Sequence, residues 1–198
     1  MIAAILLAAG ASRRMGSPKA LLKIHETTFI HRCVNVLHTS GIEKIIVVLG
    51  ADAGRITHAL AGAQVIIALN EQYQTGQLSS VIAGLRVAES FSPDAILLHP
   101  VDHPLISKTV TASIIQRFKQ NGSSIIVPTF NGRRGHPVLF SSKLFEEIKN
   151  APPDVGARSV VWSHASEVVE IETDDGGILF NVDTPEDYKR LLVRLSGM

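Results

Sequence analysis

Met1-Ile-Ala-Ala-Ile-Leu-Leu-Ala-Ala-Gly10-Ala-Ser-Arg-Arg14-Met-Gly16-Ser-Pro-Lys19 joins an uninterrupted apolar run to a loop of small residues, two glycines and three cations. Apolar residues at successive rather than alternate positions suit a strand covered on both faces. A signal peptide would carry its cations before the apolar stretch, whereas Arg13, Arg14 and Lys19 follow it here. The run is also well short of the ~20 residues needed to cross a bilayer. It therefore reads as a buried first strand. The loop behind it lets backbone N–H groups approach an anion closely, with Arg14 and Lys19 supplying fixed positive charge. It is neither a P-loop, since five residues separate its glycines and Lys19 lies three places past Gly16, nor G-x-G-x-x-G. The residues alone leave two readings open, a phosphate loop or a glycine-rich turn with solvated cations.

The same type of run recurs along the chain. Strands are expected at Ile2–Ala9, Lys44–Leu49, Gln64–Leu69, Ala95–His99, Ser124–Pro128 and Glu167–Ile171. Helices are expected between and after them, at Thr28–Thr39, Asp52–Ala61, Leu78–Glu89 and Ser107–Lys119, then at Ser141–Lys149, Gly156–Ser163 and Pro185–Leu195. Alternation of this kind predicts a three-layer α/β/α fold around a mostly parallel sheet. Ligands in such folds gather beyond the carboxyl ends of the strands.

Composition limits what the chain does. Its 198 residues, 45% apolar and 19% charged, fit one domain over 1–198 and argue against disorder. A net charge of +1 and ten aromatic residues give no field or stacking series for nucleic acid. Cys33 is the single cysteine, which excludes an intramolecular disulfide and a cysteine-built zinc site; it reads as core packing on a helix. No membrane or nucleic-acid partner is expected, and the cytoplasm is the expected compartment.

Several segments carry candidate chemistry. Leu97-Leu98-His99-Pro100-Val101-Asp102-His103-Pro104 ends a strand in a carboxylate braced by prolines; Asp102 is a turn former or a metal ligand. His99, Asp102 and His103 lack a further ligand at zinc spacing. In Asn181-Val-Asp183-Thr-Pro-Glu-Asp187-Tyr188, Thr184, Pro185 and Asp187 explain themselves as a helix start, which leaves Asp183 unexplained. Asn70-Glu-Gln-Tyr-Gln-Thr-Gly76-Gln-Leu-Ser79-Ser80 opens a helix with a glycine and two serines, structural or ligand-facing. Arg133-Arg134-Gly135-His136-Pro137 sets arginines beside a histidine, a setting for an anionic ligand.

Together these stretches resemble the MobA-like nucleotidyltransferases, and most closely their molybdenum-cofactor cytidylyltransferase (MocA-like) branch. The resemblance rests on Leu7-Ala-Ala-Gly10-x-Ser-x-Arg14-Met-Gly16-x-Pro-Lys19, the P-x-D-x-P segment at Asp102 and the N-x-D-T-P-E-D close at Asp183. It implies a Rossmann-like, GT-A-like fold, with 1–128 as the nucleotide part and 129–198 as the acceptor part and closing helix. It also implies a reaction in which an acceptor phosphate attacks an NTP and releases pyrophosphate. By the same resemblance Leu7, Ala8, Ala9, Gly10, Gly76, Ser79 and Ser80 line the nucleotide, and Arg14 and Lys19 hold its phosphates. Asp102 and Asp183 would take Mg²⁺, with Arg14, Lys19 and Asp102 as the catalytic set. Arg134 and His136 would face the acceptor. Ala8-Ala9-Gly10 stands where the guanylyl branch usually has A-G-G, which favours CTP. The implied acceptor is molybdopterin or its metal-loaded form, and a transient contact with a molybdoenzyme is a further expectation. A guanylyl- or sugar/polyol-phosphate nucleotidyltransferase of the same fold, or a non-catalytic pterin-cofactor chaperone, remain the alternatives.

Overall fold

In the computed structural model, which describes residues 1–196, the first half of the chain contains β1 (Ile2–Ala8), β2 (Lys23–Ile24), β3 (Thr27–Thr28), α1 (Phe29–Thr39), β4 (Lys44–Leu49), α2 (Ala53–Ala59), β5 (Ile66–Leu69) and α3 (Gln77–Glu89). Then follow β6 (Ala95–Pro100), α4 (Lys108–Asn121), β7 (Ile125–Phe130), β8 (Arg133–Arg134), β9 (Val138–Ser141), α5 (Phe145–Lys149), α6 (Arg158–Ser163), β10 (Val168–Glu172) and α7 (Pro185–Ser196). The main sheet runs β10-β7-β9-β6-β1-β4-β5, with β8 hydrogen-bonded to β7.

β1 lies at the centre, parallel to β4 and β6, and every one of its residues is buried. Its alternate side chains go to opposite layers, as a strand's period of two requires. Ala4, Leu6 and Ala8 pack with Phe29, Ile30 and Leu37 of α1 and with Ile114 of α4. Ala3, Ile5 and Leu7 pack with Val81 and Leu85 of α3 and with Phe145 and Ile148 of α5. Two cores on one sheet make the three-layer architecture, and each fully buried aliphatic contributes roughly 1.5–3 kcal/mol of transfer free energy. α3 comes closest: a Cβ built on Gly84 would stand 2.5 Å from Ile5 Cγ2 and 2.9 Å from Val48 Cγ2.

Helix starts follow local chemistry. Thr28 and Ser107 cap α1 and α4 by accepting from the His31 and Val110 amides. At the head of α7 the Asp187 carboxylate accepts from the Asp183 amide at 3.0 Å and the Thr184 amide at 2.8 Å, while the Thr184 hydroxyl accepts from the Asp187 amide at 3.2 Å. This reciprocal box fixes the backbone on which Asp183 sits.

Four strands lie outside the sequence reading. Val138–Ser141, where no strand is expected, forms β9, antiparallel to both β6 and β7 and buried throughout. The insertion keeps the sheet mostly parallel while separating β6 from β7. Small pairs, β2 with β3 and β8 with β7, were also not anticipated.

Candidate active site

The loop after β1, the end of β6, the start of α3 and the turn before α7 meet around a cavity of about 350 Å³. Leu7, Ala8, Ala9, Gly10, Arg14 and Lys19 line it from the first strand and its loop. Gly76, Ser80, Asp102 and Asp183 complete the wall from three other segments. Positions far apart in sequence thus converge because two carboxyl-terminal strand ends and two helix starts share an edge of the sheet.

Lys19 is the centre of this group. Its Nζ lies 3.4 Å from Asp102 Oδ2 and also donates to Asp183 Oδ1. Arg14 reaches the other oxygen of Asp183 at 3.4 Å, and the Asn181 amide donates to that oxygen at 3.0 Å. Asn181 itself lies outside the cavity lining and acts on the site through Asp183. Burial pushes the Asp102 carboxyl above the usual carboxylate range despite the pull of Lys19, and the charge of Asp183 adds to the rise. For Asp183 burial also acts upward, but the hydrogen bond and charge of Lys19, joined by Arg14, outweigh it and hold the carboxyl below that range. The difference follows proximity, since Lys19 sits tighter on Asp183 than on Asp102.

Ser12 explains how Lys19 is aimed. It adopts a left-handed backbone, φ 49°, and its hydroxyl accepts from the Lys19 amide at 3.0 Å, folding the loop back on itself. Gly76 has φ 118°, so the chain turns into α3 in a region that favours glycine.

Ser79 and Arg134 are both held by partners within the chain. Ser79 does not line the cavity; its hydroxyl donates to the Gly76 and Gln72 carbonyls at 2.8 and 3.1 Å and accepts from Asn70. Residues three apart share a helix face, so Ser80 turns inward with Gln77 and Ser79 turns away. Arg134, expected to face an anion, donates through Nε to Glu170 Oε1 at 2.7 Å and is largely matched in charge.

A second cavity of about 360 Å³ lies beyond the first, and Gln77 and Pro100 line both. His136 and Arg134 border it, as do Arg158 and Trp162 of α6. His136 packs edge-on against His103, with ring centroids 4.7 Å apart, and His103 directly follows Asp102. Burial pushes both rings down to about 4 and His99 down to about 3, so the three are neutral. Among the described residues no group of three or more His, Cys, Asp or Glu side chains is placed to hold a metal ion. A cation at Asp102 and Asp183 therefore needs oxygens from a substrate to complete its shell.

Gln77 and Tyr73 line this cavity without having been singled out in the sequence, while Ser12 and Pro100 line it as members of quoted motifs without an expected role of their own. The glycine before Gln77 was the available sign; Tyr73 had none.

The sequence of residues 4–168 matches the MobA-like NTP transferase domain. The chain belongs to the MobA-like NTP transferase family. This MobA-like NTP transferase is 29% identical over 198 residues to nicotine blue oxidoreductase of Paenarthrobacter nicotinovorans, covering 96% of each chain. It is 28% identical to a probable molybdenum cofactor guanylyltransferase of Bacillus mycoides, covering 98% of each. Rv0371c of Mycobacterium tuberculosis superposes on it with a TM-score of 0.86 at 30% identity over 97% of both chains. The manganese complex of Rv0371c superposes with a TM-score of 0.82 at 28% identity, over 97% of this chain and 98% of that one. The fold is that of the nucleotidyltransferases, and the enzyme class is nucleotidyltransferase. Among the described residues no helix is long and apolar enough to cross a membrane.

Proposed function

We propose that the enzyme transfers CMP from CTP to the phosphate of a molybdopterin-type acceptor, releasing pyrophosphate. The observation that carries this reading is the shared wall: Gln77 and Pro100 separate a cavity with Lys19, Arg14 and two carboxylates from a second, partly apolar one. Two substrates in adjoining hollows meet at that wall, and holding them there supplies much of the rate enhancement.

An oxygen of the acceptor phosphate attacks the α-phosphorus of the nucleotide. The new P–O bond forms as the bond to the β-phosphate breaks, and pyrophosphate leaves with the electron pair. Arg14 and Lys19 stabilise the charge that gathers on the leaving group. Asp102 and Asp183 fit a divalent cation, Mg²⁺ in this reading, because both direct carboxylate oxygens at the same ammonium. Such an ion supplies Lewis-acid polarisation of the phosphates. The manganese complex of the similar Rv0371c supports a divalent metal.

CTP is favoured because Ala8-Ala9-Gly10, all lining the cavity, stands where the guanylyl branch usually has A-G-G. GTP is the second reading, supported by the name of the Bacillus mycoides relative. Pyrophosphate release is to be measured with CTP, GTP, ATP and UTP, with and without molybdopterin, in Mg²⁺, in Mn²⁺ and after chelation. Release with CTP that requires both acceptor and metal is expected. Release with GTP alone overturns the cytidine assignment, and pterin binding without release with any nucleotide overturns catalysis in favour of a chaperone.

A further inference from the structure

The second cavity has a floor from the sheet and a rim from α6. Leu98, Val127, Val138 and Phe140 of β6, β7 and β9 form an apolar base. Arg158, Val161 and Trp162 line the rim together, as an i, i+3, i+4 spacing on one helix face dictates. Trp162 keeps 59% of its surface exposed, and no aromatic ring packs on it among the described residues. An indole open to solvent above an apolar floor offers a flat stacking face.

The two arginines at this cavity differ in what they have left to bind. Arg134 is committed to Glu170. Arg158 is exposed and forms no ion pair or side-chain hydrogen bond among the described residues. Arg158 shares the cavity lining with His136, which in turn contacts His103 beside Asp102.

We propose that Arg158 and Trp162 form the acceptor clamp, the indole stacking on a flat heterocycle and the guanidinium pairing with its phosphate. The proposal rests on the second cavity being the acceptor side. A planar guanidinium matches two phosphate oxygens at once, a geometry that lysine does not reproduce. The clamp selects flat, anionic acceptors over sugar or polyol phosphates, which have no aromatic face to stack.

Trp162 is the chain's single tryptophan, so its emission reports on the clamp directly. The full chain is to be titrated with 6-hydroxymethylpterin monophosphate, 4-nitrophenyl phosphate and glycerol 3-phosphate, with N-acetyltryptophanamide correcting for absorbance. Saturable quenching by the two flat phosphates and little by glycerol phosphate is expected. Arg158→Ala should weaken binding about tenfold, the order expected for loss of one hydrogen bond to a charged group. Arg158→Lys should recover part of the loss, and Arg134→Ala should change affinity by less than about twofold. Calorimetry on Trp162→Ala should show lost preference for flat phosphates at an unchanged melting temperature. Absence of saturable quenching by either flat phosphate overturns the clamp, as does an Arg134→Ala loss matching that of Arg158→Ala. Quenching by 4-nitrophenyl phosphate without quenching by the pterin keeps the clamp and overturns the pterin acceptor. Wild-type pyrophosphate release with molybdopterin from Arg158→Ala keeps the function and overturns the clamp.

Discussion

Lys19 and Asp183, 164 positions apart in the chain, are joined by a direct ion pair in the wall of the first cavity. The same ammonium lies 3.4 Å from Asp102, so one cation ties the loop after β1 to both carboxylates. Lys19→Ala leaves the two carboxylates facing each other without it. Acceptor-dependent pyrophosphate release should fall by about 100-fold, in line with loss of one preorganised electrostatic contact. A variant that turns over at the wild-type rate removes Lys19 from the phosphate site.

Asp187 holds the Asp183 backbone without touching the cavity. Asp187→Ala should cost about 1 kcal/mol, as capping losses do. It should also raise the metal concentration needed for half-maximal release while leaving the nucleotide KM near wild type. Asp187→Asn, which keeps a carbonyl acceptor, should restore much of the metal dependence. Chemical denaturation and a Mn²⁺ titration of release check the two effects separately.

Gly84 is the point of closest approach between α3 and the sheet. Gly84→Ala drives a methyl group into Ile5 and Val48, and overpacking of this kind costs about 1–3 kcal/mol. Urea denaturation should show a lower midpoint with an unchanged slope. A more stable variant, as helix propensity alone predicts, would mean that the layers separate easily.

The buried imidazoles make the protein acid-sensitive. Neither ring nitrogen of His99 has a hydrogen-bond partner, and burial holds its pKa near 3, with that of His136 near 4. Unfolded histidines take up protons near pH 6.5, so between about pH 6.5 and 4 the unfolded state binds more protons. Stability must therefore fall as pH falls through that window, by up to about 1.4 kcal/mol per pH unit for each such histidine. His99→Leu should reduce the slope by about one proton; an identical slope excludes His99 as a source.

His164 acts in the opposite direction. Hydrogen bonds to Glu167 and Glu147, at 2.9 and 2.8 Å, raise its pKa above 6.5. Protonation is thus favoured by folding. The stabilisation is complete below pH 6.5 and is lost as pH rises through the raised value. The ring sits near the surface, so the effect is small and salt-sensitive. Melting temperatures of wild type and His164→Gln should converge on the alkaline side.

The architecture was readable because β1, β4 from Ile45 on and β6 up to Leu98 are apolar at successive positions, a pattern forced by burial on both faces. β9 escaped notice because four residues carry too little period, and its burial comes from β6 and β7 on either side. Arg14, Lys19, Asp102 and Asp183 converge on one cavity, yet a glycine loop and a strand-end carboxylate each have a structural reading, and it was the resemblance of their motifs that singled them out. Arg158 and Trp162 were not visible, since a short helix shows its core pattern but not which hollow its other face borders. The pairing of Arg134 with Glu170 was not legible, because the partner lies 36 residues further along on β10.

Gln77 and Pro100 stand on elements that Gly84 and the β1–β6 pairing lock together, so the partition between the hollows is fixed in thickness. On the far side of that partition Leu98, Val138 and Phe140 form a hydrocarbon bed. Apolar surfaces of that kind hold few ordered waters. Covering such a bed displaces little bound water, so a ligand resting on it would forfeit few hydrogen bonds of hydration.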